Sequence, residues 1–154
     1  MAILDLTIFE SGDGGDLDLL NDDLNTIEGL TNQVYLALFG GNRQSTDDSL
    51  SELDKRGDWW GNEYLEKENQ FNSIFEQKLK QVALSSSGLQ ELENAAKEDL
   101  KFLEEFADIE VNGSITGVGK LELIVDLIEP NNLSTKIKFL WDGTRGTLIE
   151  RRSI

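Results

Sequence analysis

The chain has 154 residues, 38% of them hydrophobic, with no cysteine and no histidine. That length supports one compact domain, and that composition excludes disulfides, thiolate nucleophiles, Cys/His zinc or iron sites and histidine-dependent catalytic triads. The formal charge of −16 opposes association with nucleic acid or an anionic membrane surface.

Residues 2–9, AILDLTIF, alternate in part and read as a strand. The stretch SGDGGDLDLLNDDLN supplies turn glycines and carboxylates, and reads as a hairpin or an exposed loop. Between Leu30 and Phe39 the spacing of Leu30, Val34, Ala37 and Leu38 favours a short apolar-faced helix, while Val34-Tyr35 also permits a strand. Gly40 and Gly41 are expected to end it, glycine being suited to the left-handed cap. Residues 42–68 are a long polar connection, of a length that often marks a binding surface. Phe71, Ile74, Phe75, Leu79 and Val82 then follow helical spacing. Ser87 and Gln90 match a capping box for a second helix, whose stripe is Leu89, Leu92, Ala96, Leu100, Leu103 and Phe106. Glu93 with Lys97, and Lys101 with Glu105, are expected outer-face pairs worth only a few tenths of a kcal/mol each.

The period then changes. Ile109 to Ile115 reads as a strand turning at Gly117–Gly119. Leu121, Leu123, Val125 and Leu127 are two apart, as a half-buried strand requires. Pro130-Asn131-Asn132 turns the chain, Ile137, Phe139 and Trp141 alternate again, and Asp142-Gly143 leads into a short tail. The expected architecture is α+β, with helices packed on one face of a small antiparallel sheet. It comprises one domain over residues 1–154: an acidic segment 1–28, an interface loop 42–68, helices about 70–84 and 88–106, and strands about 108–142.

Charge is unevenly placed. Residues 1–69 hold 16 acidic and 4 basic side chains, and residues 70–154 hold 14 and 10. The N-terminal region is therefore expected to be solvated or turned toward a partner. No apolar run approaches the roughly 20 residues that cross a bilayer, and the acidic start lacks a basic signal-peptide head; folding in a reducing cytoplasm is the expectation.

Candidate chemistry is sparse. Asp13, Asp16, Asp18, Asp22 and Asp23 can offer oxygens to calcium, but lack the twelve-residue loop with its glycine and terminal glutamate, so a solvated acidic loop is the competing reading. The pairs Asp47/Asp48, Glu104/Glu105 and Asp108/Glu110 invite a glycosidase reading. That chemistry needs two carboxylates held across a cleft, one with a raised pKa, and adjacent pairs are expected by chance among 30 acidic residues. Gly14-Gly15 and Gly40-Gly41 match no phosphate loop. No catalytic residue, metal ligand or cofactor is assigned. Arg145, Arg151 and Arg152 form a small basic end, suited either to solvent or to an acidic neighbour. Trp141 is expected to be a buried structural ring.

The most distinctive stretch is Arg56-Gly57-Asp58-Trp59-Trp60-Gly61-Asn62. Adjacent tryptophans cannot both face one side of a regular element, so one ring is expected to pack inward and the other to meet a neighbour. Exposed large aromatics are common interface anchors. The candidate interface residues are Arg56, Gly57, Asp58, Trp59, Trp60 and Gly61.

These residues, following an apolar segment Leu30 to Phe39, Asn42-Arg43 and Asp47-Asp48, resemble the phage GP46 family of Mu-like tail proteins, whose distinctive segment is Arg-Gly-Trp-Trp-Gly-Asp. The chain departs from it by inserting Asp58 and by carrying Asn62 in place of the final Asp. The resemblance covers roughly residues 13–142 and is most specific between Val34 and Asn62. That family is similar to the small wedge protein of contractile-tail baseplates, whose fold packs helices against a short antiparallel sheet. The resemblance implies a baseplate wedge fold and a structural, non-enzymatic subunit that contacts other baseplate, sheath or tail-tube proteins. It implies no nucleic acid, membrane or small-molecule substrate, and a place in the host cytoplasm during assembly and then in the particle's tail. Two other classes stay open: a soluble acidic adaptor or inhibitor of a basic protein, and a cell-wall hydrolase.

Overall fold

Apolar residues two apart, with polar residues between them, give the C-terminal half the pattern of a half-buried sheet, and the computed structural model contains that sheet. It describes residues 4–10, 15–40, 64–130 and 134–153. In chain order these form strands β1 (Leu4–Leu6), β2 (Ile8–Glu10), β3 (Gly15–Leu17), β4 (Leu19–Leu20), β5 (Asp23–Leu24) and β6 (Thr26–Glu28). Helices α1 (Thr31–Phe39), α2 (Ile74–Gln81) and α3 (Ser86–Leu100) follow. Strands β7 (Asp108–Gly117), β8 (Lys120–Ile128), β9 (Ser134–Asp142) and β10 (Thr147–Ser153) complete the chain. The protein is a small α+β domain with its helices packed near an antiparallel sheet.

The sheet is a meander of order β10-β9-β8-β7, antiparallel throughout. Leu121, Leu123 and Val125 lie opposite Trp141, Phe139 and Ile137. With Val111 and Leu127 they are buried, each side chain contributing roughly 1.5–3 kcal/mol through burial. The alternate residues carry cross-strand ion pairs, Lys138 to Glu122 at 2.8 Å and Lys136 to Asp126 at 2.9 Å. The Ser134 hydroxyl first, and Lys136 after it, hold the Asp126 carboxyl below its ordinary pKa. The expected tail after Gly143 is instead a fourth strand: Leu148 is buried opposite Trp141, and the register then slips before Glu150.

α3 runs beside β7, close enough that a Cβ on Gly113 would stand 2.7 Å from Leu89 Cδ1. Glu93 turns its carboxylate to the Gly113 amide at 2.7 Å, in place of the expected outer-face pair with Lys97. α3 also starts earlier than the expected Ser87 box. Ser85 is its cap and accepts the Gly88 amide hydrogen. After Leu100 the helix tightens into a 3-10 turn, Lys101–Glu105, which carries Leu103 inward and leaves Phe102 and Phe106 exposed. Phe106 therefore leaves the expected buried stripe. α2 is shorter than residues 70–84. Phe75 and Leu79 are buried, Ile74 points partly to solvent, and Phe71 precedes the helix.

Segment 30–39 is helical, not extended, and Val34, Tyr35, Leu36, Ala37 and Leu38 are all buried. Gly40 ends α1 for a different reason from the one expected. Its φ is −80°, which any residue adopts. Space excludes a side chain here, because a Cβ would collide with the Leu36 carbonyl and lie 3.0 Å from Phe71 Cβ.

The N-terminal segment departs most from expectation. The single strand foreseen over residues 2–9 breaks at Thr7, and its halves join different partners: β1 pairs with β6, and β2 with β3. A third ladder, β4 with β5, turns through Asn21 and Asp22, both at positive φ as a tight primed turn requires. The three ladders meet in a closed ring of backbone hydrogen bonds: Thr7 donates to Asn25, Asn25 to Asp18 and Asp18 to Thr7, each at 2.9 Å. The Asn25 amide also donates to Asp18 Oδ2 at 2.7 Å.

Two- and three-residue ladders are marginal alone, and α1 stabilises these through one side chain. Buried Asn32 donates to the Leu6 carbonyl and accepts the Ile8 amide hydrogen, clamping the chain on both sides of Thr7. Replacing it leaves two backbone groups without their partner, a loss of about 1–3 kcal/mol. N32A is expected to lose amide hydrogen-exchange protection at Thr7, Asp18 and Asn25 while amides of β8 keep theirs. Uniform loss across both regions would contradict a local clamp.

Candidate functional site

The residues singled out as an interface, Arg56, Gly57, Asp58, Trp59, Trp60 and Gly61, lie outside the described residues, as do Asp47 and Asp48. What the structure describes is the frame from which that stretch departs and to which it returns. The departure point is Gly40, at the end of α1, and the return runs through Tyr64–Gln70 to Phe71. Tyr64 is 81% exposed. Residues 64–70 form a tight turn in which Gln70 Nε2 donates to the Leu65 carbonyl at 2.8 Å and the Asn69 amide to Glu66 at 2.8 Å.

The two ends are fastened together. Gly40 packs so closely on Phe71 that an added Cβ would stand 3.0 Å from Phe71 Cβ, and two residues further on buried Ser73 completes the join. Its hydroxyl donates to the Leu38 carbonyl at 2.6 Å, capturing an orphan acceptor at the end of α1. The same oxygen accepts the Glu76 amide hydrogen at 2.9 Å, capping α2. Asp99, reaching across from α3, accepts the next free donors: the Ile74 amide at 3.1 Å on Oδ1 and the Phe75 amide at 2.7 Å on Oδ2. One serine and one aspartate thus tie α1, α2 and α3 together.

Directly beneath lies an aromatic cluster. Phe39, the last residue of α1, stands 6.0 Å from Tyr35, 5.7 Å from Phe75, 5.4 Å from Phe139 and 6.5 Å from Trp141, ring centre to ring centre. Such pairs each contribute about 0.5–1.5 kcal/mol beyond burial. Trp141 is buried, as expected of a structural ring. The chain therefore leaves the described residues at Gly40 beside a cluster in which rings of α1, α2 and β9 meet.

Among the described residues the paired candidate carboxylates lie on exposed surface. Glu104 and Glu105 are exposed on the 3-10 turn, and Asp108 and Glu110 are exposed on β7. Among the described residues no three carboxylates converge on a metal-sized site. Asp18 engages Asn25, and Asp23 accepts the Leu24 amide hydrogen. Arg145 is exposed, its Nε 3.9 Å from Asp142.

Sequence reasoning missed Ser73, Asp99 and Asn32. Ser73-x-x-Glu76 is a capping pattern in plain view, passed over because the apolar spacing began earlier at Phe71. Nothing local marks Asp99, whose partners are about 25 residues away.

Burial pushes the Asp99 carboxyl above its ordinary pKa, against the opposing pull of the Phe75, Ile74 and Ser73 hydrogen bonds. The folded chain then holds this proton more tightly than the unfolded chain, so the group's contribution to stability falls as pH rises from the unfolded toward the folded pKa. D99N, which cannot titrate, is expected to lose about 1–3 kcal/mol through a mismatched donor. The advantage of the native chain over D99N should be larger at acid pH than at neutral pH in urea unfolding. An advantage that grows with pH would contradict the assignment. Comparisons of the chain with protein-family models, with curated proteins and with solved structures find no match.

Proposed function

We propose that this chain is a structural subunit of the baseplate of a contractile phage tail, or of a phage-derived contractile injection particle, and that it works by assembly contacts rather than catalysis. The observation that carries the reading is the Arg56–Gly61 segment with its paired tryptophans, in the place where the phage GP46 family carries Arg-Gly-Trp-Trp-Gly-Asp. The α+β arrangement of helices against an antiparallel meander is compatible with the finer proposal of a baseplate wedge fold.

The mechanism is binding energy delivered through a fixed base. The Trp59/Trp60 segment wedges against a neighbouring baseplate, sheath or tail-tube subunit. The Ser73–Asp99 lock and the Phe39 cluster keep the two ends of the loop from splaying when that load is applied. Rigid presentation lowers the entropy lost on docking. β7 is one of the two outer strands of the sheet, with β10 at the other edge, and offers a further edge to which a neighbour's strand can add.

A second reading is a soluble acidic adaptor or inhibitor of a basic protein, favoured by one observation: residues 1–42 carry eight carboxylates and no lysine or arginine. It predicts binding to a basic partner that high salt abolishes.

Deletion of residues 57–61 separates the two. The baseplate reading expects a monomer with unchanged unfolding behaviour and particles that fail to assemble. Normal assembly with the deleted chain would sink the proposed role of the loop.

A further inference from the structure

We infer that Glu93 guards an open edge of the sheet, and that the strand it keeps out is β7 of a second copy of this chain. The meander has two outer strands, β10 and β7. β2 lies against β10. β7 runs from Asp108 to Gly117, and residues 111–119 carry neither a charge nor a proline. A long uncharged outer strand is the kind that pairs with another chain.

The ladder fixes which backbone groups face outward. In an antiparallel pair, successive residues alternate between exchanging hydrogen bonds with the partner strand and turning those groups away from it. Gly113 stands opposite Leu123, yet its amide donates to Glu93 Oε1 of α3 at 2.7 Å. That amide therefore faces away from β8, and by the same alternation so do the amides of Val111 and Ile115. Glu93 takes the middle one of the three.

Close packing of α3 holds the carboxylate there. A Cβ on Gly113 would stand 2.7 Å from Leu89 Cδ1 and 3.5 Å from Glu93 Cγ, so the missing side chain lets the helix come near enough for Glu93 to reach the backbone. Glu93 is half-buried in this pose, while Lys97, one turn further along α3, is exposed. The i,i+4 ion pair open to Glu93 in solvent is given up for the strand edge. A strand adding along β7 needs the Gly113 amide, so addition requires Glu93 to withdraw.

The edge's lack of charge names the excluded strand. A basic segment meets no carboxylate along residues 111–119, whereas a neutral extended strand matches them, and β7 is itself such a strand. Two copies paired antiparallel about Gly113 set Val111 opposite Ile115, Asn112 opposite Ser114 and Glu110 opposite Thr116. The carboxylates of the two copies then fall at opposite ends and do not face one another. The exposed Ile115 of each copy meets a β-branched neighbour. Such a pairing is isologous and closes as a dimer.

The inference stands on the contact between α3 and β7 and is independent of the proposed assembly role, so this experiment and the deletion of residues 57–61 can fail separately. The full chain and its variants are compared by sedimentation velocity, with circular dichroism as the check on folding. Removing a charged hydrogen-bond acceptor frees the edge, and E93A is expected to self-associate about tenfold or more tightly than the native chain. E93D keeps the charge but shortens the reach; it is expected to associate as well, and carries the test if E93A fails to fold. E93Q, with an acceptor at the same reach, is expected to behave as the native chain does. E93A/I115P loses an outward amide at an outer-strand position, where proline is tolerated, and is expected to return to native behaviour. Folded E93A and E93D that associate no more than the native chain would overturn the proposal. So would association that I115P leaves unchanged, or E93Q associating as strongly as E93A.

Discussion

Phe39 is the residue on which the parts of this fold converge. It ends α1, packs edge-on against Phe75 of α2, and sits within ring contact of Phe139 and Trp141 on β9. The next residue, Gly40, has no room for a side chain. Helix, sheet and second helix are thus fixed to one another within a few ångströms of the point where the chain leaves for residues 41–63. An aromatic cluster is well suited to this constraint, since its rings carry large buried area with few rotatable bonds.

Two polar devices complete what the cluster begins. At the C-terminal end of α1, Ser73 and Asp99 satisfy the carbonyl and amide groups that helix termini leave unpaired. At its N-terminal end, Asn32 satisfies the strand backbone around Thr7. α1 is therefore a buried helix with a polar clamp at each end, one joining it to α2 and α3 and the other to the strands around Thr7.

How much of this was readable in advance depended on how each element is specified. β8 and β9 were legible because Leu121 to Leu127 and Ile137 to Trp141 alternate without interruption. β10 was not: the register slip after Leu148, with Glu150, Arg151 and Arg152 beyond it, hides a period of two behind charge. α3 was legible in its middle and misread at both ends. Three consecutive serines compete for its cap, and a 3-10 turn replaces the last helical turn, so the stripe stops at Leu103 and Phe106 faces solvent. The ring of Thr7, Asp18 and Asn25 had no sequence signal to find. It is made by backbone groups, and ladders of two or three residues are too short to show a period. The tryptophan segment stands out in the sequence by its composition, while the contacts that join α1, α2 and α3 on either side of it link residues about 25 to 35 positions apart, which no local pattern reports.

We propose that this chain is a baseplate subunit seated by its tryptophan segment. Cryo-electron microscopy of contractile particles from the producing strain tests it most directly. Density for this chain is expected at the baseplate, with Trp59 or Trp60 buried against another subunit. Complete particles without it would contradict the claim.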